Sequence, residues 1–196
     1  MKALRHFIVN VPSKTKDTVQ LGDKEIFLDT RFDEFNHRIC YGRVVSAPHV
    51  IETGVKEGDT LFFHHHVTQN STLALGDNNY ICVLDQENPR GSHAIAYRNQ
   101  EGELHMLSEW LFVQPVEEEN EEEVTESGII VDLNNKKKDD TEAVVFMPHE
   151  YLKAQGVKVG DVVGFDRDSD YKMKLDDDSI VYRMRLDDIS YVKKES

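Results

Sequence analysis

Several things that would each point to a particular chemistry are scarce in this sequence. Its 196 residues hold two cysteines, Cys40 and Cys82, with no paired spacing of the zinc or thioredoxin kind, so both are expected to be small buried hydrophobes in a reducing, cytoplasmic protein. Positive charge is short: 23 Lys and Arg face 37 Asp and Glu, for a formal net charge of −14. A phosphate backbone or an anionic membrane needs a basic face, so neither nucleic acid nor membrane is expected as a partner. No apolar run, "MKALRHFIVNVPSK" at the start included, is long enough for a signal-peptide core or a membrane helix. No Ser/His/Asp or Cys/His arrangement, phosphate-cradling glycine loop or paired-carboxylate motif stands out, and no catalytic residue is expected. Among the histidines, His64 and His66 read as one face of a strand with His65 on the other; two imidazoles without a third ligand at convincing spacing predict no metal site.

What is present begins with internal repetition. "RVVSAPH" (Arg43 to His49) recurs as "AVVFMPH" (Ala143 to His149), and "GVKEGDTLFF" (Gly54 to Phe63) as "GVKVGDVVGF" (Gly156 to Phe165), in the same order. "FIVNVP" near the start matches "LFVQPV" at Leu111 to Val116, and "LHMLSEWLFV" (Leu104 to Val113) matches "YRMRLDDISYV" (Tyr182 to Val192) with one residue inserted. The repeated segments are short, rich in Val, Ile, Phe and Tyr, and bounded by Gly, Pro, Asp and Asn, the pattern of strands and turns. Only "HEYLKAQ", His149 to Gln155, suggests a helical turn. In V-K-x-G-D-x-[VL]-x-F, Gly-Asp supplies a tight turn and the alternation after it a half-buried strand. The reading is all-β: two tandem small barrels or sandwiches sharing a continuous strand region, residues 1–113 with an insertion at 64–103, and residues 114–196.

The second copy carries a family resemblance. "VKVGDVVGFDRDSDYKMKLDDDSIVYRMRLDDISYV" (Val157 to Val192) resembles the C-terminal half of the GroES, or chaperonin-10, co-chaperonins, and "FVQPVEEENEEEVTESGIIV" resembles their first strand and mobile loop. The loop is especially similar to that of the T-even phage members, which implies a phage-type protein and a host cytoplasm. The first copy fits more loosely, through "YGRVVSAP", "GVKEGDTLFF" and "MLSEWLFV". The resemblance implies GroES-like β-barrel modules and no enzymatic activity or bound cofactor, ATP being handled by the partner. Its implied partners are a GroEL-type chaperonin and non-native substrate proteins, a capsid protein among them, with a homo-oligomeric ring in which seven chains are favoured.

In that family a loop carries an aliphatic tripeptide that docks in an apolar groove of the chaperonin. Gly128, Ile129, Ile130 and Val131 stand at that position, within an acidic loop spanning 117–140 whose seven glutamates read as a solvated run. Burying three such side chains yields about 2 kcal/mol each, against about 1 kcal/mol per residue ordered. One loop therefore binds weakly, and a ring of loops gains by multivalency. In the first copy Ile26, Phe27 and Leu28 occupy the corresponding place with Glu25 where the glycine would be, which leaves a second docking loop and an ordinary strand both open. Both copies lack the family's long roof hairpin.

Two other readings compete with a co-chaperonin. One is a GroES-like structural or assembly protein, of a virion or scaffold, in which Ile129 to Val131 are buried in the chain's own core. The other is an enzyme, since zinc alcohol dehydrogenases contain a GroES-like module; these need a dinucleotide-binding domain, and no G-x-G-x-x-G follows a strand here.

Overall fold

Two unbroken hydrophobic stretches, Leu61–Phe63 and Trp110–Val113, organise the molecule. In the computed structural model, which describes residues 2–12, 18–27, 35, 38–85, 87–88, 91–116, 122–124, 130–132 and 141–194, both lie in strands with each face covered. Such strands read as continuous apolar runs, in contrast to the alternation of half-exposed ones.

The first large sheet is antiparallel and seven-stranded. It comprises β1 (Phe7–Asn10), β4 (Tyr41–Ser46), β5 (Thr60–Phe63), β6 (Ala74–Gly76), β7 (Asn79–Cys82), β8 (Ala94–Arg98) and β9 (Leu104–Met106), in the order β6-β7-β1-β4-β5-β8-β9. The second has six strands: β10 (Trp110–Pro115), β13 (Glu142–Met147), β14 (Val162–Phe165), β15 (Tyr171–Lys174), β16 (Ile180–Arg185) and β17 (Ile189–Lys193), ordered β15-β16-β10-β13-β14-β17. Two small hairpins complete the strands, β2 (Thr18–Leu21) with β3 (Lys24–Phe27), and β11 (Glu122–Val124) with β12 (Ile130–Asp132). The helical elements bounded among the described residues are α1 (His66–Gln69), α2 (Glu150–Ala154) and two short 3-10 turns. The all-β expectation holds.

Written side by side, the two sheets have one strand order: β6-β7-β1-β4-β5-β8 against β15-β16-β10-β13-β14-β17. The irregularities repeat as well. β1 shifts register on β4 between Ile8 and Val9, as β10 does on β13 between Phe112 and Val113, and a shift at Phe62/Phe63 recurs at Gly164/Phe165. This order corrects two sequence readings. Residues 64–103 are not simply an insertion, because β6, β7 and β8 hold the places of β15, β16 and β17; what has no counterpart is β9 and the helical segment around α1. For the same reason "LHMLSEWLFV" is not the counterpart of "YRMRLDDISYV": it forms β9 and the opening of β10, while the latter forms β16 and β17. β10 lies wholly in the second sheet, so the change of sheet falls before Trp110, upstream of a boundary between 113 and 114.

The V-K-x-G-D turns are equivalent atom by atom. Asp59, 3% exposed, accepts from the Lys56 amide through Oδ2 at 2.8 Å, and Asp161, 7% exposed, accepts from the Lys158 amide at 2.9 Å. Gly58 and Gly160 sit at φ 92° and 97°, a region where a side chain is strained, and donate to the Val44 and Val145 carbonyls. The helical turn expected at "HEYLKAQ" is α2, capped by His149, whose Nδ1 accepts from the Tyr151 amide.

Side chains segregate into three cores. Phe7, Val9, Leu61 and Phe63 point into the first, within the seven-stranded sheet; Leu111, Val113, Val163 and Met184 point into another, within the six-stranded sheet. Between them lies a core drawn from both sheets, with Phe62, Ile95 and Cys40 on one side and Trp110, Phe112, Met173 and Val181 on the other. The alternation of β5 and β10 therefore serves two layers at once, and the sheets are joined by packing and not merely by chain continuity.

Candidate functional site

The long connection between the first two strands of each sheet, residues 11–40 in one and 116–141 in the other, is where the chain departs from its core. Between β1 and β4 it forms β2–β3, and between β10 and β13 it forms β11–β12, the same topological place in each sheet. Each hairpin pairs only with itself among the described residues. In β2–β3 the register runs from Thr18↔Phe27 to Leu21↔Lys24, closed by Gly22 and Asp23. Gly22 has φ 66°, and glycine at the first turn position suits a two-residue hairpin. Leu21 and Ile26 are 67% and 44% exposed, an uncommon allocation of aliphatic surface for a strand belonging to a core. In β11–β12, Glu122, Glu123 and Val124 pair with Asp132, Val131 and Ile130.

Of the residues singled out by sequence, Ile130 and Val131 thus lie in β12, and Ile26 and Phe27 in β3. Gly128, Ile129 and Leu28 lie outside the described residues, as does most of the 117–140 loop. Sequence reading treated each segment as one stretch; that each folds back on a paired strand became visible only through the register. For Ile26 to Leu28 the alternation in "KEIFLDT" predicts a strand, and a strand forms at Lys24–Phe27, but as half of a separate hairpin and not as a member of the first sheet.

A second constellation sits where the two sheets meet. β5 ends at Phe63, so His64 to His66 do not continue the strand; they turn into α1. All three rings converge, with ring nitrogens within 4.8 Å of one another, which the strand-alternation reading missed. Tyr171 of β15 stacks against His64 at 4.6 Å between centroids, and its hydroxyl bonds His65 Nδ1. The Arg183 guanidinium lies 4.1 Å over Trp110 and 4.7 Å over Tyr171, cation–π contacts that accompany its burial. Burial, with Arg183 and the neighbouring histidines adding to it, lowers the His64 pKa to about 3, so this imidazole is neutral across the physiological range. Burial pushes the Tyr171 hydroxyl up, and pulls Arg183 down to about 10.

Residues 103–192 match the sequence model of the Cpn10 family, the chaperonin 10 Kd subunit. The match begins just before β9 and ends within β17, so it takes in the six-stranded sheet up to Val192 and the hairpin β11–β12. No curated protein matches the chain.

Proposed function

From a chaperonin-10 domain over residues 103–192, we propose that the protein is a co-chaperonin that caps a GroEL-type chaperonin ring and assists ATP-dependent folding of an enclosed protein, a phage capsid protein being one candidate client. The chain reads as two such modules in tandem, the second contributing Gly128, Ile129, Ile130 and Val131 to the docking contact. The observation that carries this is the hairpin β11–β12: it lies inside the matched domain, holds Ile130 and Val131, and among the described residues pairs with neither large sheet. A strand needed for the chain's own core would be paired into one of them, as the assembly-protein reading requires.

The first module offers Ile26, Phe27 and Leu28 in the same place, with Ile26 well exposed, as a second contact. Seven chains in a ring, each presenting one or two hairpins, turn weak single contacts into a closed, releasable lid through multivalency. The partner binds and hydrolyses the ATP, and this chain requires no cofactor for docking.

The test is assisted refolding. A denatured client that the chaperonin alone retains is incubated with chaperonin, ATP and this protein. Recovery of native client that depends on all three supports the reading; no recovery, with binding to no chaperonin including that of the natural host, favours an assembly role.

A further inference from the structure

Three consecutive histidines rarely face one point in a strand, since alternate side chains diverge. Here the chain leaves β5 and begins α1 across them, and the nitrogens of His64, His65 and His66 fall within 4.8 Å of one another. We propose that these three imidazoles form a binding site for a zinc-type transition-metal ion, set at the junction of the two sheets.

Zinc–nitrogen bonds are about 2.0–2.1 Å long, which places paired ligand nitrogens roughly 3.4 Å apart around a tetrahedral ion. The present spacing, within 4.8 Å, is wider than that, so binding requires the three rings to draw together. The rings already carry the outer contacts that orient metal-bound imidazoles. His65 Nδ1 bonds the Tyr171 hydroxyl, and His64 stacks on the Tyr171 ring. His93 stands alongside, its carbonyl accepting from the His64 amide and its buried Nδ1 lacking a hydrogen-bond partner among the described residues.

The surroundings also set which ions fit. Among the described residues no carboxylate belongs to the cluster, and Arg183 acts on His64 as a neighbouring positive charge. Calcium and magnesium are held by charged oxygens and are rejected there, whereas zinc, cobalt and nickel bond covalently to neutral imidazole. Because His64 to His66 belong to the first sheet's chain and Tyr171 to the second's, a bound ion would tighten the contact between them.

The experiment uses the full-length chain without a polyhistidine tag, stripped with a chelator and titrated with Co²⁺ at pH 7.5. Expected is one equivalent bound with Kd near or below about 1 µM, with visible absorption of a four-coordinate site, displacement by Zn²⁺ and no competition from Ca²⁺ or Mg²⁺. At a hundredfold excess over Kd the unfolding temperature should rise by about 5 °C or more. His66→Ala alters an exposed ring and His64→Phe keeps the stack on Tyr171; each should weaken binding at least tenfold, while His105→Ala leaves it intact. Uptake unchanged in both cluster variants, an affinity weaker than about 100 µM, or equal binding of Ca²⁺ would overturn the proposal.

Discussion

Cys82 lies wholly enclosed in the first sheet's core, and burial pushes its thiol far above the ordinary value of 9.0. The unfolded chain loses this proton near pH 9 while the folded chain keeps it. Above that pH the unfolded state binds fewer protons, so stability falls as pH rises; below it this group contributes no slope. Urea midpoints measured from pH 7 to 10.5 should therefore decline above about pH 9, and decline less steeply in Cys82→Val. Gly42 makes a different argument. A Cβ there would stand 2.8 Å from the Asn10 carbonyl oxygen, a backbone atom that cannot swing aside. Gly42→Ala should lower stability by about 1–3 kcal/mol, read from chemical unfolding, whereas an unchanged midpoint would mean that the neighbouring β1 gives way. The burial of both cysteines was legible from composition. The convergence of His64 to His66 was not, because it depends on β5 stopping at Phe63, which nothing in "LFFHHHV" announces.

The V-K-x-G-D turns were readable from sequence because their chemistry is local: a glycine that needs positive φ, followed by an aspartate that reaches back three residues to an amide. Asp59→Ala would leave the Lys56 amide without its partner and should cost about 1–2 kcal/mol. A cost near zero would show that water substitutes. The place of β7 beside β1 was not readable in the same way. Phe7 pairs with Cys82 and Asn10 with Asn79, contacts between segments far apart in sequence that no turn motif announces. Nothing in "NNYICVLD" indicates which strand it pairs with, and so a regular part of the sheet read as an insertion. The hairpins β2–β3 and β11–β12 fall between these cases. Their aliphatic residues and their position after the first strand were evident, while the partner strand β11 (EEV) gives no apolar alternation and the partner strand β2 (TVQL) spans only four residues.

The whole molecule is held together by the middle core, in which Phe62 from one sheet meets Phe112 and Trp110 from the other. Two sheets sharing buried aromatics should unfold together. Trp110 is the sole tryptophan and is 3% exposed at this junction, so its fluorescence reports the contact directly. We expect one urea transition, coincident by fluorescence and circular dichroism, and a loss of about 3–5 kcal/mol in Phe62→Ala; separate transitions in the wild type would mean that the sheets are independent. On the proposed co-chaperonin reading, this shared core would give the hairpin β11–β12 a fixed platform from which to present Ile130 to a partner. The most direct test of that claim is ATP-dependent complex formation with a GroEL-type chaperonin by gel filtration, comparing the wild type with Ile130→Asp and Phe27→Asp. The account predicts a complex for the wild type that is lost in Ile130→Asp while that variant's own oligomeric state is unchanged, with Phe27→Asp reporting how far the first hairpin contributes. A complex that survives Ile130→Asp intact would contradict it.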